Sequence, residues 1–290
     1  MNGILLIDKP SEWTSNDVVQ KLRGVFHERR IGHAGTLDPM ATGLLTVFVG
    51  RATRAVEFAE SDEKTYVAGL RLGITTDTQD VTGTVLQTCR IPDITAEMME
   101  QVLRSFLGSI SQIPPMYSAV RVNGRRLYDL ARQGKTVERA PREVRIHELS
   151  ILEGEGTDWT LFVRCSKGTY IRTLCHDIGL LLGCGACMSS LRRTAAGAFQ
   201  VSDAFPLENV VELAADGKAE SLLIPTDRLF SQYAGLVLGE SDERKLRNGM
   251  PVFSALDDGI YRVYSEKSEF LALGRCTGRE LRSIKSFYEV

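Results

Sequence analysis

Apolar positions along the chain come in short runs whose spacing switches between that of strands and that of helices. Gly3 to Ile7 is an unbroken apolar run, the length of a buried strand. Ser15 is placed to cap a helix that carries Val18, Val19, Leu22 and Phe26 on one face. Leu44 to Val49 is a second buried run, and Tyr66, Ala68 and Leu70 alternate with Val67, Gly69 and Arg71 as in a strand. Thr95 caps a helix predicted through Phe106 and closed by Gly108, and Gly124 to Arg132 forms a shorter one ended by Gly134. Val144 to Leu152 and Trp159 to Cys165 are predicted as antiparallel neighbours, followed by a helix over Thr169 to Leu182 that stops at Gly183. Strands outnumber helices and do not alternate with them regularly. The fold class expected is α+β, a mixed, largely antiparallel sheet flanked by helices.

The stretch from Pro225 to Gly235 has the look of a boundary. Beyond it Gly249 to Phe253, Ile260 to Ser265 and Phe270 to Gly274 predict a small β-rich module. With 290 residues, one large domain over 1–230 and a small one over 231–290 are expected. Composition narrows the class: 43% hydrophobic, 25% charged and a mean hydropathy of -0.09 describe a globular chain. A disordered, collagenous or disulfide-stapled protein is excluded. No apolar run approaches the ~20 residues of a membrane span. The N-terminus lacks the basic and cleavage features of a signal peptide, so a cytoplasmic protein is expected.

Of the cysteines only Cys184 and Cys187 have metal-like spacing, with Cys175 and His176 nearby in sequence. Without a second such pair, buried reduced thiols are expected rather than zinc. Net charge is -2, yet the segment from Pro115 to Arg145 carries eight basic residues against three acidic ones. Lys21, Arg23, Arg29 and Arg30 form a smaller basic cluster, while Pro206 to Asp227 holds five acids and one lysine. Such asymmetry fits either a solvated face or a polyanion partner.

Candidate chemistry concentrates between Gly32 and Leu45, where three glycines permit unusual backbone angles and close approach of a ligand. Pro39 biases Asp38 toward an extended backbone on a stiff loop, and His33 stands five residues earlier in what reads as the same loop. A carboxylate so placed serves as nucleophile, as general base or as a turn cap. Neither a phosphate-binding loop nor a dinucleotide fingerprint is present.

Taken together, several motifs resemble the TruB family, the bacterial tRNA pseudouridine-55 synthases. Leu5 to Pro10 with Thr14-Ser15 is similar to the family's opening motif, and Gly32 to Leu45 to its catalytic motif. Lys64 to Tyr66 with Leu72 to Thr78 resembles the tyrosine motif, and Pro114 to Tyr128 the start of an RNA-gripping insertion at about 115–145. Cys165 to Arg172 resembles the arginine motif, with Leu191 to Arg193 after it. The matches run in order over about the first 200 residues. Glu12 departs from the pattern, standing where the family usually has glycine. The C-terminal module resembles, more weakly, the family's PUA-like RNA-binding domain.

The resemblance implies isomerisation of uridine to pseudouridine at position 55 in the T-loop of tRNA. The C1′–N1 bond breaks, the base rotates and rejoins through C5, and neither a cofactor nor a metal is required. It implies Asp38 as the essential carboxylate and Arg172 as its charge partner. Tyr66 would stack on a uracil flipped out of the RNA at a cost of a few kcal/mol. Tyr170 and Leu191 would line the pocket, and His33 would fill the gap the nucleotide leaves. Lys9 would order the motif loop. Arg121, Arg125, Arg126, Arg132 and Lys135 would contact RNA phosphates. The partner expected is the tRNA T-arm, bound by a monomer, with no membrane. Pseudouridylation of another RNA, and a non-catalytic RNA-binding or RNA-folding role, are the rival readings.

Overall fold

A computed structural model describes residues 1–59, 63–118, 120–122 and 124–288. The chain divides into two compact units: Met1–Pro39, Leu45–Glu60 and Asp203–Val290 form the first, and Met40–Leu44 with Ser61–Ser202 the second.

In the first unit, strand Gly3–Lys9 lies beside the strand Thr42–Val49 and pairs in parallel with Phe205–Pro206. Strand Ile31–Ala34 pairs antiparallel on the far side, His33 opposite Val47. Leu5, Ile7, Leu45, Val47 and Val49 from these strands bury against Val18, Val19, Leu22 and Phe26 of the helix Ser15–Phe26. The N-cap of that helix is Thr14 rather than Ser15. Thr14 accepts from the Asp17 N–H while the Asp17 carboxylate accepts from the Thr14 N–H, a reciprocal capping box. The Ser15 hydroxyl is spent on Leu37 instead.

The C-terminal part of this unit is a five-stranded, PUA-like curled sheet. Its strands run in the order Ala234–Leu238, Gly259–Ser265, Phe270–Thr277, Glu280–Ser286, Val252–Phe253, with only the first pair parallel. Val263, Leu271, Leu273 and Leu281 are buried in it. Phe230 joins it to the N-terminal segments, with its ring 5.2 Å from Phe58 and 5.9 Å from Phe287. Arg54 adds a hydrogen bond to the Ser286 carbonyl, and Lys285 an ion pair with Glu57.

The second unit is a run of antiparallel neighbours in the order Ala186–Ala196, Lys64–Leu72, Asp158–Cys165, Arg142–Glu155, Gly108–Gln112. At its other edge Thr42 and Gly43 pair in parallel with Arg192 and Arg193. Gly43 has φ 97°, and a Cβ there would lie 2.3 Å from the Arg193 carbonyl oxygen, so only glycine permits this approach. Helix Ala96–Arg104 starts on the Thr95 cap as the sequence predicts but ends earlier, with Gly108 opening the next strand. Helix Ile171–Leu181 is shorter than predicted at its N-terminus and packs on the strand Ala186–Ala196. The contact is close at Gly179, where a Cβ would lie 2.1 Å from the Ala186 nitrogen. Gly179→Ala should therefore push helix and strand apart and cost about 1–3 kcal/mol, measurable as a lower midpoint in chemical denaturation.

The helix predicted over Gly124 to Arg132 is shorter in the structure, with Arg125–Arg126 in a strand before it. A hairpin of Arg121–Val122 with Arg125–Arg126 precedes a single helical turn and a half, Leu127–Ala131. Leu127 and Leu130 are its buried residues, as the spacing predicts. No helix among the described residues is long and apolar enough to cross a membrane.

Candidate active site

Asp38 lies in the first unit, half-buried, in the loop after strand Ile31–Ala34. Both of its chain neighbours are held. The Leu37 N–H donates to the Ser15 hydroxyl at 2.9 Å, and that hydroxyl lies 3.3 Å from the Leu37 carbonyl. The Lys9 ammonium, fully buried, donates to the Pro39 carbonyl at 3.1 Å and to those of Pro10 at 2.8 Å and Trp13 at 2.5 Å. Three backbone carbonyls thus accept from one ammonium, and the loop is ordered from its opening-motif side. His33 differs from expectation: it belongs to the strand Ile31–Ala34 rather than to the Asp38 loop. The ladder with Thr42–Val49 starts earlier than the glycines suggest, and His33 is held in it opposite Val47. Glu12 takes a left-handed backbone with φ 64°, the conformation a glycine adopts at no steric cost.

In the second unit, Tyr66 and Leu191 share one face of the sheet. Tyr66 is opposite Arg193 and Val163, and Leu191 opposite Ala68, so Leu191 is the diagonal neighbour of Tyr66. Both are buried, and Arg193, on the strand of Leu191 and opposite Tyr66, is 1% exposed, with its Nε donating to the Leu44 carbonyl at 2.7 Å. Tyr170 is the N-cap of helix Ile171–Leu181 and Arg172 stands in its first turn. The Arg172 guanidinium, 6% exposed, donates to the carbonyls of Thr78 at 3.1 Å and Tyr117 at 2.7 Å. It also stands 3.8 Å from the Asp80 carboxylate.

Asp80 went unnoticed in the sequence. It is buried, and its Oδ1 accepts from the Thr82 N–H and from the hydroxyls of Thr78 and Thr82 at 2.5–2.9 Å. The signal available was the density of threonine and aspartate in Thr75 to Thr84, the residues that fold a loop on its own polar atoms. Gln112, equally unmarked in the sequence, is buried at the end of its strand and bonds to the backbone of Tyr170.

Arg121, Arg125, Arg126 and Arg132 are exposed and line one cavity of about 590 Å³ together with Gly124, Asp129 and Gln133. Tyr128 organises part of it: Arg126 donates to its hydroxyl at 2.6 Å, and the Arg126 and Arg132 guanidiniums lie 5.7 and 5.6 Å from its ring. Lys135 is exposed beyond the helical turn. The cysteines are free thiols. Burial pushes Cys165 up to about 11 and raises Cys175, Cys184 and Cys187. Among the described residues no three metal-ligating side chains come together.

The chain as a whole has known relatives. The family model described as TruB family pseudouridylate synthase (N terminal domain) matches residues 23–171. That of the tRNA pseudouridylate synthase B C-terminal domain matches 172–231. The tRNA pseudouridine synthase B of Clostridium kluyveri is 40% identical over 296 residues, covering 99% of this chain and all of its own. That of Syntrophotalea carbinolica is 45% identical over 251 residues, covering 87% of this chain and 82% of its own. Among solved structures, one titled a Cbf5-Nop10-Gar1 complex matches with a TM-score of 0.75 at 27% identity, over 99% of this chain and 85% of that one. Mixed sheet, helices and PUA-like module are those of the pseudouridine synthases. The chain belongs to the TruB family of these enzymes.

Proposed function

We propose that the protein converts uridine to pseudouridine at position 55 in the T-loop of tRNA, with Asp38 as the reacting carboxylate. The observation that carries this reading is the loop around Asp38. Leu37 and Pro39 are anchored through Ser15 and Lys9, so a half-exposed carboxylate is presented on a backbone that cannot swing away. The reaction breaks C1′–N1, forms C1′–C5, removes the proton from C5 and returns one to N1. It is an isomerisation whose atoms balance with water as the only proton carrier.

In this reading Tyr66 stacks on the flipped uracil, Leu191 walls it and Tyr170 lines the same pocket. Base–aromatic stacking of about 1–3 kcal/mol offsets part of the flipping cost. Arg172 is the cation that favours the ionised carboxylate, and His33 occupies the space the nucleotide vacates. Residues 1–230 form the catalytic domain and 231–290 an RNA-binding module, in a cytoplasmic monomer.

Arg121, Arg125, Arg126, Arg132 and Lys135 grip phosphates of the T-arm. Replacing both Arg125 and Arg126 by alanine should weaken tRNA binding and flatten its salt dependence. The slope of log affinity against log salt should fall by about one for each phosphate no longer neutralised, read by filter binding across a salt series.

The deciding experiment maps pseudouridine by nucleotide in an unmodified tRNA transcript incubated with the purified protein and no added cofactor. Product at uridine 55 is expected. A folded, RNA-binding protein that leaves the transcript unmodified would overturn the reading in favour of another RNA or a non-catalytic role.

A further inference from the structure

Strand Gly108–Gln112 ends on a glutamine that is 1% exposed, and its carboxamide is spent twice on a single residue. Gln112 Nε2 donates to the Tyr170 carbonyl at 3.2 Å, while Gln112 Oε1 accepts from the Tyr170 N–H at 3.0 Å. Tyr170 is the N-cap of the helix bearing Arg172, and its own side chain makes no capping bond. A planar amide that pairs with both the N–H and the C=O of one residue does what a neighbouring strand does. It fixes orientation as well as distance.

The same stretch of chain is tied to Arg172 from the other side. Five residues after Gln112, with Pro114 and Pro115 stiffening the path, the Tyr117 carbonyl accepts from Arg172 at 2.7 Å. Arg139, near the far end of the insertion, donates to the Pro114 carbonyl at 3.1 Å. Gln112, Tyr170, Arg172 and Tyr117 therefore close a ring in which the start of the helix and the root of the insertion hold each other.

We propose that Gln112 is a positioning residue for the isomerisation: its two bonds to Tyr170 set the angle at which Tyr170 and Arg172 enter the site and bind that angle to the seating of the insertion. The inference rests on the roles given above to Tyr170 and Arg172. A purely structural Gln112 would move only the melting temperature, whereas a positioning one moves the rate of the bound complex.

The test is the single-turnover rate and the tRNA affinity of wild type and Gln112→Glu, at a temperature where both are folded. A carboxylate can accept from the Tyr170 N–H but has no proton for the Tyr170 carbonyl. At about pH 8 the rate should fall about tenfold or more, since misplacement of a reacting group by the order of 1 Å costs up to about 100-fold. Affinity should stay within about twofold. Burial and the facing carbonyl favour the neutral acid, so the ratio of variant to wild-type rate should climb back as the pH is taken to about 6 and the missing donor returns.

A lower melting temperature with a rate ratio near one at every pH would overturn the proposal. If Gln112→Glu fails to fold, Gln112→Met is measured in its place: a slower rate at kept affinity supports the proposal and an unchanged rate sinks it. A wild type that makes no pseudouridine would instead count against the function proposed above.

Discussion

Asp38→Asn is expected to abolish pseudouridine formation, by about 10⁴-fold or more, while tRNA affinity changes by less than about threefold. The amide has the shape of the carboxylate but can neither form a bond to the sugar or base nor take a proton from the ribose. The fold should tolerate the change. The loop is anchored through the backbone of Leu37 and Pro39 to Ser15 and Lys9, contacts that the substitution leaves in place. The side chain is half-buried and the amide keeps its shape, so the change brings no steric conflict into the core. Single-turnover conversion of a labelled transcript and filter binding, run on the same preparation, separate the two quantities. Residual activity within tenfold of wild type would remove Asp38 from the chemistry. Loss of binding in step with activity would make it a folding residue of the loop.

Local chemistry was the part of this structure open to reading in advance. Apolar spacing located the strands at Gly3, Leu44, Tyr66 and Trp159 to within a few residues, because burial on one face dictates period. Thr95 capped its helix as read. Where a residue had two possible uses, sequence could not rank them. Ser15 and Thr14 are equally good caps on paper. The structure gives the cap to Thr14, which has Asp17 at the reciprocal position, and spends Ser15 on Leu37, 22 residues away.

His33 was misread for a related reason: flanking glycines signal a loop, but strand pairing with Val47 overrode them. Three groups that Arg172 meets carried no signal in the sequence. Asp80, Thr78 and Tyr117 are brought to it by the packing of helix Ile171–Leu181, and no periodicity encodes a contact across 55 or 94 residues of chain. What sequence did carry was the reason for Glu12 to be conspicuous. The resemblance expects glycine there, and the backbone at φ 64° is of the kind that glycine accommodates.

Arg172→Met should lower stability by about 3 kcal/mol and the single-turnover rate by about 100-fold or more. The stability loss comes from Asp80, which is 4% exposed and whose carboxylate faces the guanidinium at 3.8 Å. Removing one partner of a buried pair leaves the other charge uncompensated. Three hydrogen bonds from Thr78 and Thr82 remain on Asp80 Oδ1, which holds the loss near the lower end of the usual range. The carbonyls of Thr78 and Tyr117 also lose their donor.

The double variant Arg172→Met with Asp80→Asn distinguishes the two roles of the arginine. The carboxamide oxygen introduced by Asp80→Asn can still accept from Thr78 and Thr82, and no charge is left buried. Most of the lost stability should return in urea denaturation, while the rate should stay low because the cation proposed to favour the ionised Asp38 carboxylate is still missing. Recovery of rate along with stability would mean that Arg172 serves the reaction only by neutralising Asp80, and the electrostatic role proposed for it would fall.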